Sequence, residues 1–279
     1  MCSGLLTQRP VVLLPAVSLL VLAFALAGCA ADDQIAPPQR RLSEPPEMDQ
    51  LVSRVLSQAA GWKTLTARCD VIVRSNRIRA RGGQVDLRRG KLYMEKPGKI
   101  NLTVPAKGQH RVRLVGDGKR YLVDMPVFGV RFTGRYGDPL PKEGTSVAVA
   151  PDDLVDAFDP VYVLLGKVQV PRQQGVTLCV DSLRTVREPE PKVLPGYTLM
   201  FSWQEAKLIA MWKYRADGSI RVETRFARRE PFENQDGEGV VVPTRLWLGY
   251  LQGPTALVLR LRDVKLDDEL ETGLFEVGR

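Results

Sequence analysis

Histidine is almost absent from this 279-residue chain, which contains only His110. Metal sites built from several imidazoles are therefore excluded, and acid–base catalysis by histidine has a single candidate. His110 lies in a stretch of alternating residues, so we expect it on the solvated side of a strand. The sequence also lacks a nucleophile motif, a glycine-rich phosphate loop and a nucleic-acid-binding motif. These absences argue against an enzyme and against nucleic acid as a partner, and no cofactor or metal is predicted.

Cysteine is scarce as well, with four residues: Cys2, Cys29, Cys69 and Cys179. We expect Cys69 and Cys179 in strands, where two interpretations stand side by side. In an oxidising compartment they could form a disulfide, provided that their Cα atoms lie within about 7 Å. Alternatively, each is a small buried apolar residue. Sequence spacing does not distinguish the two.

One apolar run, Val11–Ala27, follows a single charged residue, Arg9. A basic start, an apolar middle and small residues at the end are the parts of an export signal. The run lies at the lower length limit for a membrane span, Pro15 interrupts it, and no cluster of Lys or Arg follows it. A transmembrane anchor is therefore the weaker interpretation.

The run ends in Leu26-Ala27-Gly28-Cys29, which resembles the lipobox of bacterial lipoproteins. The resemblance implies that residues 1–28 are a lipoprotein signal peptide and that lipidated Cys29 tethers the protein to a membrane of the cell envelope. Ala30 follows the cysteine, where Asp is the inner-membrane retention signal of some bacteria, so the resemblance favours the outer membrane, facing the periplasm. Cleavage by the other type of signal peptidase, at Ala25-Leu26-Ala27 or Ala27-Gly28-Cys29, is the alternative.

Positive charge prevails, with 40 Lys and Arg against 32 Asp and Glu and a net charge of +8. In an exported protein this balance favours anionic lipid or polysaccharide as a partner over nucleic acid. Residues 29–47 are rich in Ala, Asp, Gln and Pro, which predicts a flexible tether. Residues 48–279 are long enough for one large domain.

The spacing of apolar residues changes from helical to strand-like near Gly61. Residues 48–60 predict an amphipathic helix. Alternation then predicts strands at 63–73, 78–87, 91–95, 99–104, 111–115, 120–125, 129–135, 197–203, 208–214, 220–226, 240–251 and 256–262. Short turns between them indicate an antiparallel sheet in a mainly β (α+β) protein. The proline-rich stretch 187–195 predicts a loop, because proline lacks the N–H that a strand ladder needs.

A second helix is predicted at 151–158, with the apolar run 161–165 as a possible extension. Its start is rich in carboxylates: Asp152, Asp153, Asp156 and then Asp159. A calcium site or an acid–base pair is conceivable. The favoured interpretation is that these residues cap free N–H groups and interact with the positive end of the helix dipole.

The order of several short motifs resembles LolA/LolB-type lipoprotein carriers over about residues 48–277. The motifs are Lys96-Pro97-Gly98-Lys99-Ile100-Asn101-Leu102, Gly116-Asp117-Gly118-Lys119-Arg120-Tyr121 with Met125-Pro126, Tyr214-Arg215-Ala216-Asp217-Gly218-Ser219-Ile220, Val242-Pro243-Thr244-Arg245-Leu246, and the ending Leu259–Phe275. The resemblance implies a curved, unclosed antiparallel β-barrel of about 11 strands, with a helical lid over an apolar cavity. It also implies that lipoprotein acyl chains or other lipids are the ligands, and Cys29 matches the LolB-like, membrane-anchored arrangement.

The chain departs from that family in two respects. It is longer, with the insertion near 187–195, and it has no obvious membrane-inserting loop. The turn Pro126-Val127-Phe128-Gly129 could serve as that loop, with an ordinary buried turn as the alternative.

The candidate ligand-binding residues are large apolar residues on strand faces and the lid. They are Leu92, Met94, Leu114, Tyr121, Val123, Met125, Phe201, Trp203, Met211, Trp212 and Trp247. Burial of a chain of about 16 carbons is worth roughly 12 kcal/mol, which only an apolar cavity can match. For each residue the alternative is ordinary core packing. The alternative function is an envelope sensor or structural lipoprotein that binds a protein partner.

Replacement of Cys29 by serine should abolish metabolic labelling of the protein with palmitate, because the residue expected to carry the lipid is lost. Cys2→Ser is the matched control, since this cysteine lies within the predicted signal peptide, and it should be labelled like the wild type. Label retained by Cys29→Ser would contradict the lipobox assignment. Lipid label is a better measurement than membrane fractionation, because an uncleaved precursor would also remain membrane-bound.

Overall fold

The computed structural model describes residues 47–75, 83–108, 110–138, 149–164, 169–174, 177–186, 192–205, 207–251 and 255–277. The predicted signal peptide, Cys29 and the predicted tether up to residue 46 lie outside the described residues. So does most of the proline-rich stretch, from 187 to 191.

The α-helices of the described part are α1, Met48–Ala60, α2, Pro151–Phe158, and α3, Pro160–Leu164. Helix α1 has the predicted bounds, and its Val52 and Ala59 are buried. The predicted extension of α2 is a separate helix, because Pro160 has no N–H to continue the hydrogen-bond ladder. A short 3₁₀ helix covers Pro126–Phe128. Within the described ranges, no helix has the length and apolar character needed to cross a bilayer.

The described residues form a 13-stranded sheet. The strands are β1 Thr64–Ser75, β2 Gln84–Glu95, β3 Lys99–Pro105, β4 Arg111–Asp117, β5 Arg120–Met125, β6 Val130–Arg135, β7 Gln169–Gln174, β8 Thr177–Val186, β9 Lys192–Ser202, β10 Lys207–Tyr214, β11 Ile220–Glu233, β12 Gly239–Tyr250 and β13 Thr255–Leu266.

The sheet consists of two meanders joined at one seam. Its order is β6-β5-β4-β3-β2-β1-β13-β12-β11-β10-β9-β8-β7, and every pair is antiparallel. Neighbouring strands therefore follow each other in sequence, except at the seam between β1 and β13. The edge strands β6 and β7 do not pair with each other, so the sheet is unclosed, and α2 and α3 lie in the connection between them.

One face of this sheet carries a continuous apolar core, which we call the inner face. Its core cluster joins residues from both meanders, such as Leu102 of β3 and Leu199 of β9, with residues of all three helices. Strands far apart in the sheet can share one core only if the sheet curves around it. Two bulges opposite β1 add local twist: β13 has an extra residue where it pairs with Thr66 to Arg68, and β2 has one where it pairs with Cys69 to Val71. The predicted mainly β architecture with a curved, open antiparallel sheet is confirmed.

The strand boundaries differ from the prediction in the first meander. The strands predicted at 78–87 and 91–95 correspond to one strand, β2, in the described residues from Gln84 onwards. Arg89 takes a positive φ of 62° at a bulge in the pairing with β1. The bulge lets the strand continue through a stretch in which the alternation of apolar residues is broken. His110 is exposed and lies immediately before β4 rather than within a strand.

The second meander begins earlier than predicted. Cys179 lies in a strand, β8, as expected, but the bounds of β8 and the whole of β7 were not assigned from the sequence, because Leu178, Cys179 and Val180 are all buried and do not alternate. The predicted loop at 187–195 is wrong from Lys192 onwards, where β9 begins. Pro195 lies opposite Leu183 next to a bulge, and β10 pairs with β9 only from Tyr197 onwards. The missing N–H of the proline therefore breaks no ladder on that side.

The two candidate disulfide cysteines are far apart in the sheet. Cys69 lies on β1 and Cys179 on β8, both are buried, and no disulfide joins them in the described structure. The interpretation as buried apolar residues is therefore the correct one. Burial, assisted by the charge of Asp70, raises the pKa of the Cys69 thiol to about 12. The thiol is thus kept protonated and unreactive.

Substitution of Gly116 by alanine should lower the free energy of unfolding by about 1–3 kcal/mol, because an added Cβ would overlap the hydroxyl of Tyr136. That hydroxyl donates a hydrogen bond of 2.6 Å to the carbonyl of Gly98. Gly239→Ala is the control, since a Cβ there has no neighbour within 4 Å. Its effect should stay within about 0.5 kcal/mol. Urea unfolding measures the effects of both substitutions. Equal effects would contradict the close packing of Tyr136 against Gly116.

Candidate functional site

Most of the predicted ligand-binding residues lie together on the inner face. Leu92, Met94, Leu114, Tyr121, Val123, Met125, Phe201 and Met211 belong to the core cluster, and none is more than 2% exposed. Trp203 is half-buried and packs against the same cluster. The sequence pattern thus identified side chains that share one apolar interior. Their role in ligand binding remains a prediction.

Trp212 and Trp247 are not part of this cluster among the described residues. Trp247 lies opposite Arg225, whose guanidinium carbon is 5.1 Å from the centroid of the indole ring. In β10 a bulge between Leu208 and Ala210 shifts the alternation, so that Leu208 and Met211 reach the core. The alternation that predicted the strand at 208–214 would place Leu208, Ala210 and Trp212 on one face, and the bulge shows that this is wrong.

Helix α2 lies on the inner face and bridges the two meanders. Every one of its residues from Pro151 to Phe158 is buried. Leu154 and Phe158 belong to the core cluster, and the helix contacts β3, β4 and β5. On its other side its carboxylates form ion pairs with β10 and β11. The helix is therefore an interior element, enclosed by the sheet.

The carboxylates of α2 surround one lysine and one arginine, and we call these five residues the ion cluster. Nζ of Lys213 lies 2.9 Å from Asp152 Oδ2, 2.9 Å from Asp153 Oδ1 and 2.6 Å from Asp156 Oδ2. Nη2 of Arg221 lies 3.3 Å from Asp153 Oδ2 and 3.7 Å from Asp152 Oδ1. All five side chains are at most 9% exposed. The ion pairs are therefore shielded from solvent and fix the position of α2.

The favoured interpretation of these aspartates as helix caps is wrong. The residue at the N-terminal cap is Ala150, and α2 has no side-chain capping hydrogen bond. The aspartates instead form ion pairs with cations on β10 and β11. Because these cations are buried, they are stronger partners for a carboxylate than the free N–H groups of the helix start. Lys213 and Arg221 occupy the position that a calcium ion would need, and the described residues contain no cluster suited to a metal ion.

The electrostatics of the ion cluster are unbalanced, because three carboxylates face two cations. Burial raises the pKa of Asp156, Lys213 opposes this, and Asp152 adds to it. Burial also acts to raise the pKa of Asp152. The positive charges of Lys213 and Arg221 outweigh this effect, so the pKa of Asp152 is lowered. Burial alone would lower the pKa of Lys213, yet Asp153 and Asp156 hold it well above its usual value. Of Asp152 and Asp156, Asp156 is therefore the carboxylate that takes up a proton more easily.

Two tyrosines complete the polar surroundings of α2. The hydroxyl of Tyr197 donates a hydrogen bond of 3.0 Å to Asp156 Oδ2. The hydroxyl of Tyr250 accepts one of 3.3 Å from the backbone N–H of Ala150, before the first turn of the helix. Burial raises the pKa of both hydroxyls, so both stay protonated. With the ion cluster and Tyr250 buried and Tyr197 partly buried, the arrangement suits mechanical attachment of a helix better than catalysis.

Lys96 forms a second link between helices. Its Nζ donates a hydrogen bond of 3.0 Å to the carbonyl of Ala59 in the last turn of α1. The same atom lies 3.7 Å from Asp159 Oδ1, at the end of α2, and 4.2 Å from the ring centroid of Trp62. Burial lowers the pKa of Lys96, and Asp159 opposes that shift. The ends of α1 and α2 are thus joined through one cation.

Two other features lie outside the core. A cleft of about 200 Å³ is lined by Asp70, Ile72, Asp86, Leu87, Arg88, Arg260 and Arg262, and none of the predicted ligand-binding residues lines it. In the turn considered as a membrane-inserting loop, Val127 is exposed and Phe128 packs against the core. The turn is therefore only partly buried.

No family model and no curated protein matches this chain. The chain is similar to a solved DUF1329 family protein from Desulfovibrio piger, with 11% identity, a TM-score of 0.47 and coverage of 82% of this chain and 95% of the other. It is similar to a structure described as an outer membrane lipoprotein-sorting protein domain from Vibrio parahaemolyticus, with 10% identity, a TM-score of 0.48 and coverage of 81% and 94%. A LolA superfamily protein from Nitrosomonas europaea matches with 13% identity, a TM-score of 0.49 and coverage of 80% and 96%. At these values the similarities do not establish a ligand.

Asp156→Asn and Asp152→Asn should alter stability with different pH dependence. The pKa of Asp156 is raised in the folded protein, so its ionisation costs free energy of folding as the pH rises above about 4. Asp156→Asn removes this cost, and its stability relative to the wild type should improve as the pH rises.

The pKa of Asp152 is lowered, so its carboxylate stabilises the fold above about pH 4 and loses this effect in acid. Asp152→Asn should therefore be less stable than the wild type at neutral pH and approach it as the pH falls below about 4. Urea unfolding across this pH range measures both differences. The same pH trend in both variants would contradict the unequal roles of the two carboxylates.

Proposed function

We propose that this protein is a membrane-anchored lipoprotein that binds hydrophobic cargo, lipoprotein acyl chains or lipids, against the inner face of its sheet. Its role would be lipid or lipoprotein trafficking in the cell envelope, with lipidated Cys29 holding it to the outer membrane, facing the periplasm. The observation that carries the proposal is an apolar face that extends across both meanders of an unclosed sheet and is covered by short helices. The sequence resemblance described above supports the same reading.

Cargo would have to replace part of this cover, because the candidate residues on the inner face are closely packed. Helix α1 is the element best suited to leave. Among its described side chains only Val52 and Ala59 are buried, while Leu56 is partly buried. Each large apolar side chain contributes roughly 1.5–3 kcal/mol on burial, against roughly 12 kcal/mol for an acyl chain of about 16 carbons. The exchange is therefore favourable for an acyl chain.

Helix α2 is the element that would stay. Its removal would separate Asp153 and Asp156 from Lys213 and leave charges unpaired against an apolar interior. The loss of one partner from a buried ion pair costs about 3–5 kcal/mol. The ion cluster would thus set a polar boundary of the binding site, and the acyl chain of the cargo would not extend past it.

The second candidate function is an envelope sensor or structural lipoprotein that binds a protein partner on the same fold. The close packing of the inner face favours this alternative, since residues such as Leu92 and Phe201 are fully buried without any ligand. Neither candidate function requires a catalytic residue or a cofactor.

Site-specific photo-cross-linking should separate the inner face from the rest of the sheet. A photoreactive aromatic residue replaces Trp203, which packs against the core cluster, or Trp247, which does not. The chain lacking residues 1–29 is suitable, because the core cluster lies between Val52 and Leu266. We expect the variant at Trp203 to cross-link to a radiolabelled fatty acid and the variant at Trp247 to do so much less.

Saturable binding of a fluorescent fatty acid with one-to-one stoichiometry should accompany the cross-linking. Equal cross-linking at both positions would contradict binding at the inner face. Absence of saturable binding together with capture of a single envelope protein would favour the sensor alternative instead.

A further inference from the structure

A row of charged residues crosses the face of the sheet opposite to the core, which we call the outer face. The register places one residue from each of seven neighbouring strands directly opposite the next. In order from β13 through β1 to β6 they are Arg262, Arg68, Lys91, Thr103, Arg113, Asp124 and Arg131. Directly paired residues project from the same face of a sheet, so these side chains form one line, the cationic row.

The cationic row contains five basic residues and one acidic residue, Asp124. All five basic residues are exposed. Arg262 forms an ion pair with Asp70, and Arg68 lies 3.5 Å from Asp263. Lys91, Arg113 and Arg131, on β2, β4 and β6, have no ion pair within the described ranges. Asp124 lies directly opposite both Arg113 and Arg131, so the part of the row on the first meander keeps an excess of positive charge.

This arrangement is unfavourable for the fold itself. Arg68 lies directly between Arg262 and Lys91, and like charges opposite each other on neighbouring strands are destabilising. The side chains are exposed, so they add nothing to the core. Some exposed cations elsewhere in the sheet do have a carboxylate partner, as Arg228 has in Glu230. The row carries more positive charge than its carboxylate partners neutralise, so it is suited to an anionic partner outside the chain.

We propose that the cationic row docks the domain on the anionic headgroups of a membrane surface. Neighbouring strands lie about 4.8 Å apart, so Lys91 and Arg113 are about 10 Å apart, and so are Arg113 and Arg131, on a broad, exposed face. Such a broad face fits an extended anionic surface better than a single strand of nucleic acid.

The curvature of the sheet limits how much of the row a flat membrane can touch. We therefore assign the contact to the three unpaired cations on β2, β4 and β6. The proposal goes beyond the binding of cargo at the inner face and does not require it, because the two use opposite faces of the same sheet. It would turn the inner face away from the bilayer and leave the helices accessible.

The test is sedimentation of the chain lacking residues 1–29 with vesicles, so that no lipid anchor contributes. Vesicles of phosphatidylcholine mixed with phosphatidylglycerol should bind the protein, and vesicles of phosphatidylcholine alone should not. The triple variant Lys91→Gln, Arg113→Gln, Arg131→Gln should bind the anionic vesicles roughly a hundredfold more weakly, since each basic residue at such a surface contributes about a factor of five. Binding should also weaken with added salt.

The matched control is the triple variant Lys207→Gln, Arg225→Gln, Arg228→Gln, which removes the same charge from exposed cations that have carboxylate partners. It should retain most of the affinity. Equal losses in the two variants, or no binding to anionic vesicles, would overturn the proposal. The proposal would also be overturned if the variant Lys91→Gln, Arg113→Gln, Arg131→Gln lost binding to heparin but kept binding to anionic vesicles. If the vesicle test contradicts the docking proposal, cross-linking of fatty acid at position 203 can still succeed. That result would show that the docking proposal alone is wrong and that binding at the inner face stands.

Discussion

The position of Lys213 within the sheet determines how the interior of this protein is organised. Its ammonium group is buried between three carboxylates of α2, so the helix cannot move away without leaving a charge in an apolar environment. Arg221 extends the same constraint to the neighbouring strand. A helix of eight residues would be marginal on its own, yet here it is fully buried and connects the two meanders. The remaining interior is apolar and packs around this fixed point.

Polar and apolar contacts have separate roles in the arrangement. The ion cluster gives α2 one orientation, because each carboxylate has defined partners at 2.6–3.7 Å. The apolar core cluster provides most of the burial but little direction. Lys96 adds a weaker link between α1 and α2, through a backbone carbonyl and Asp159. The cover of the inner face therefore contains one rigidly held helix and one that is held mainly at its C-terminal end.

The sequence predicted the fold well where local signals and tertiary structure agree. Alternation of apolar residues located most strands of both meanders, and the short turns indicated the antiparallel sheet. The same reasoning failed at bulges, because one inserted residue, at Ile209 in β10 or at Arg89 in β2, reverses the side of every residue beyond it. The ion cluster could not be predicted either, since Asp156 and Lys213 are far apart in the chain. A lysine between Trp212 and Tyr214 gave no sign that it points inwards, and only the register of β10 against the core reveals it.

The seam between β1 and β13 has a consequence for the order of folding. The first strand of the domain pairs with the last along most of its length, from Leu65 opposite Leu266 to Ser75 opposite Thr255. Each meander can form from contacts between neighbours in sequence, but the seam must wait until the chain is available up to residue 266. Until then β1 presents an unpaired edge, the kind of edge that pairs with other chains. Such a long-range final step slows folding. Loss of even the last strand would leave the first meander without its neighbour.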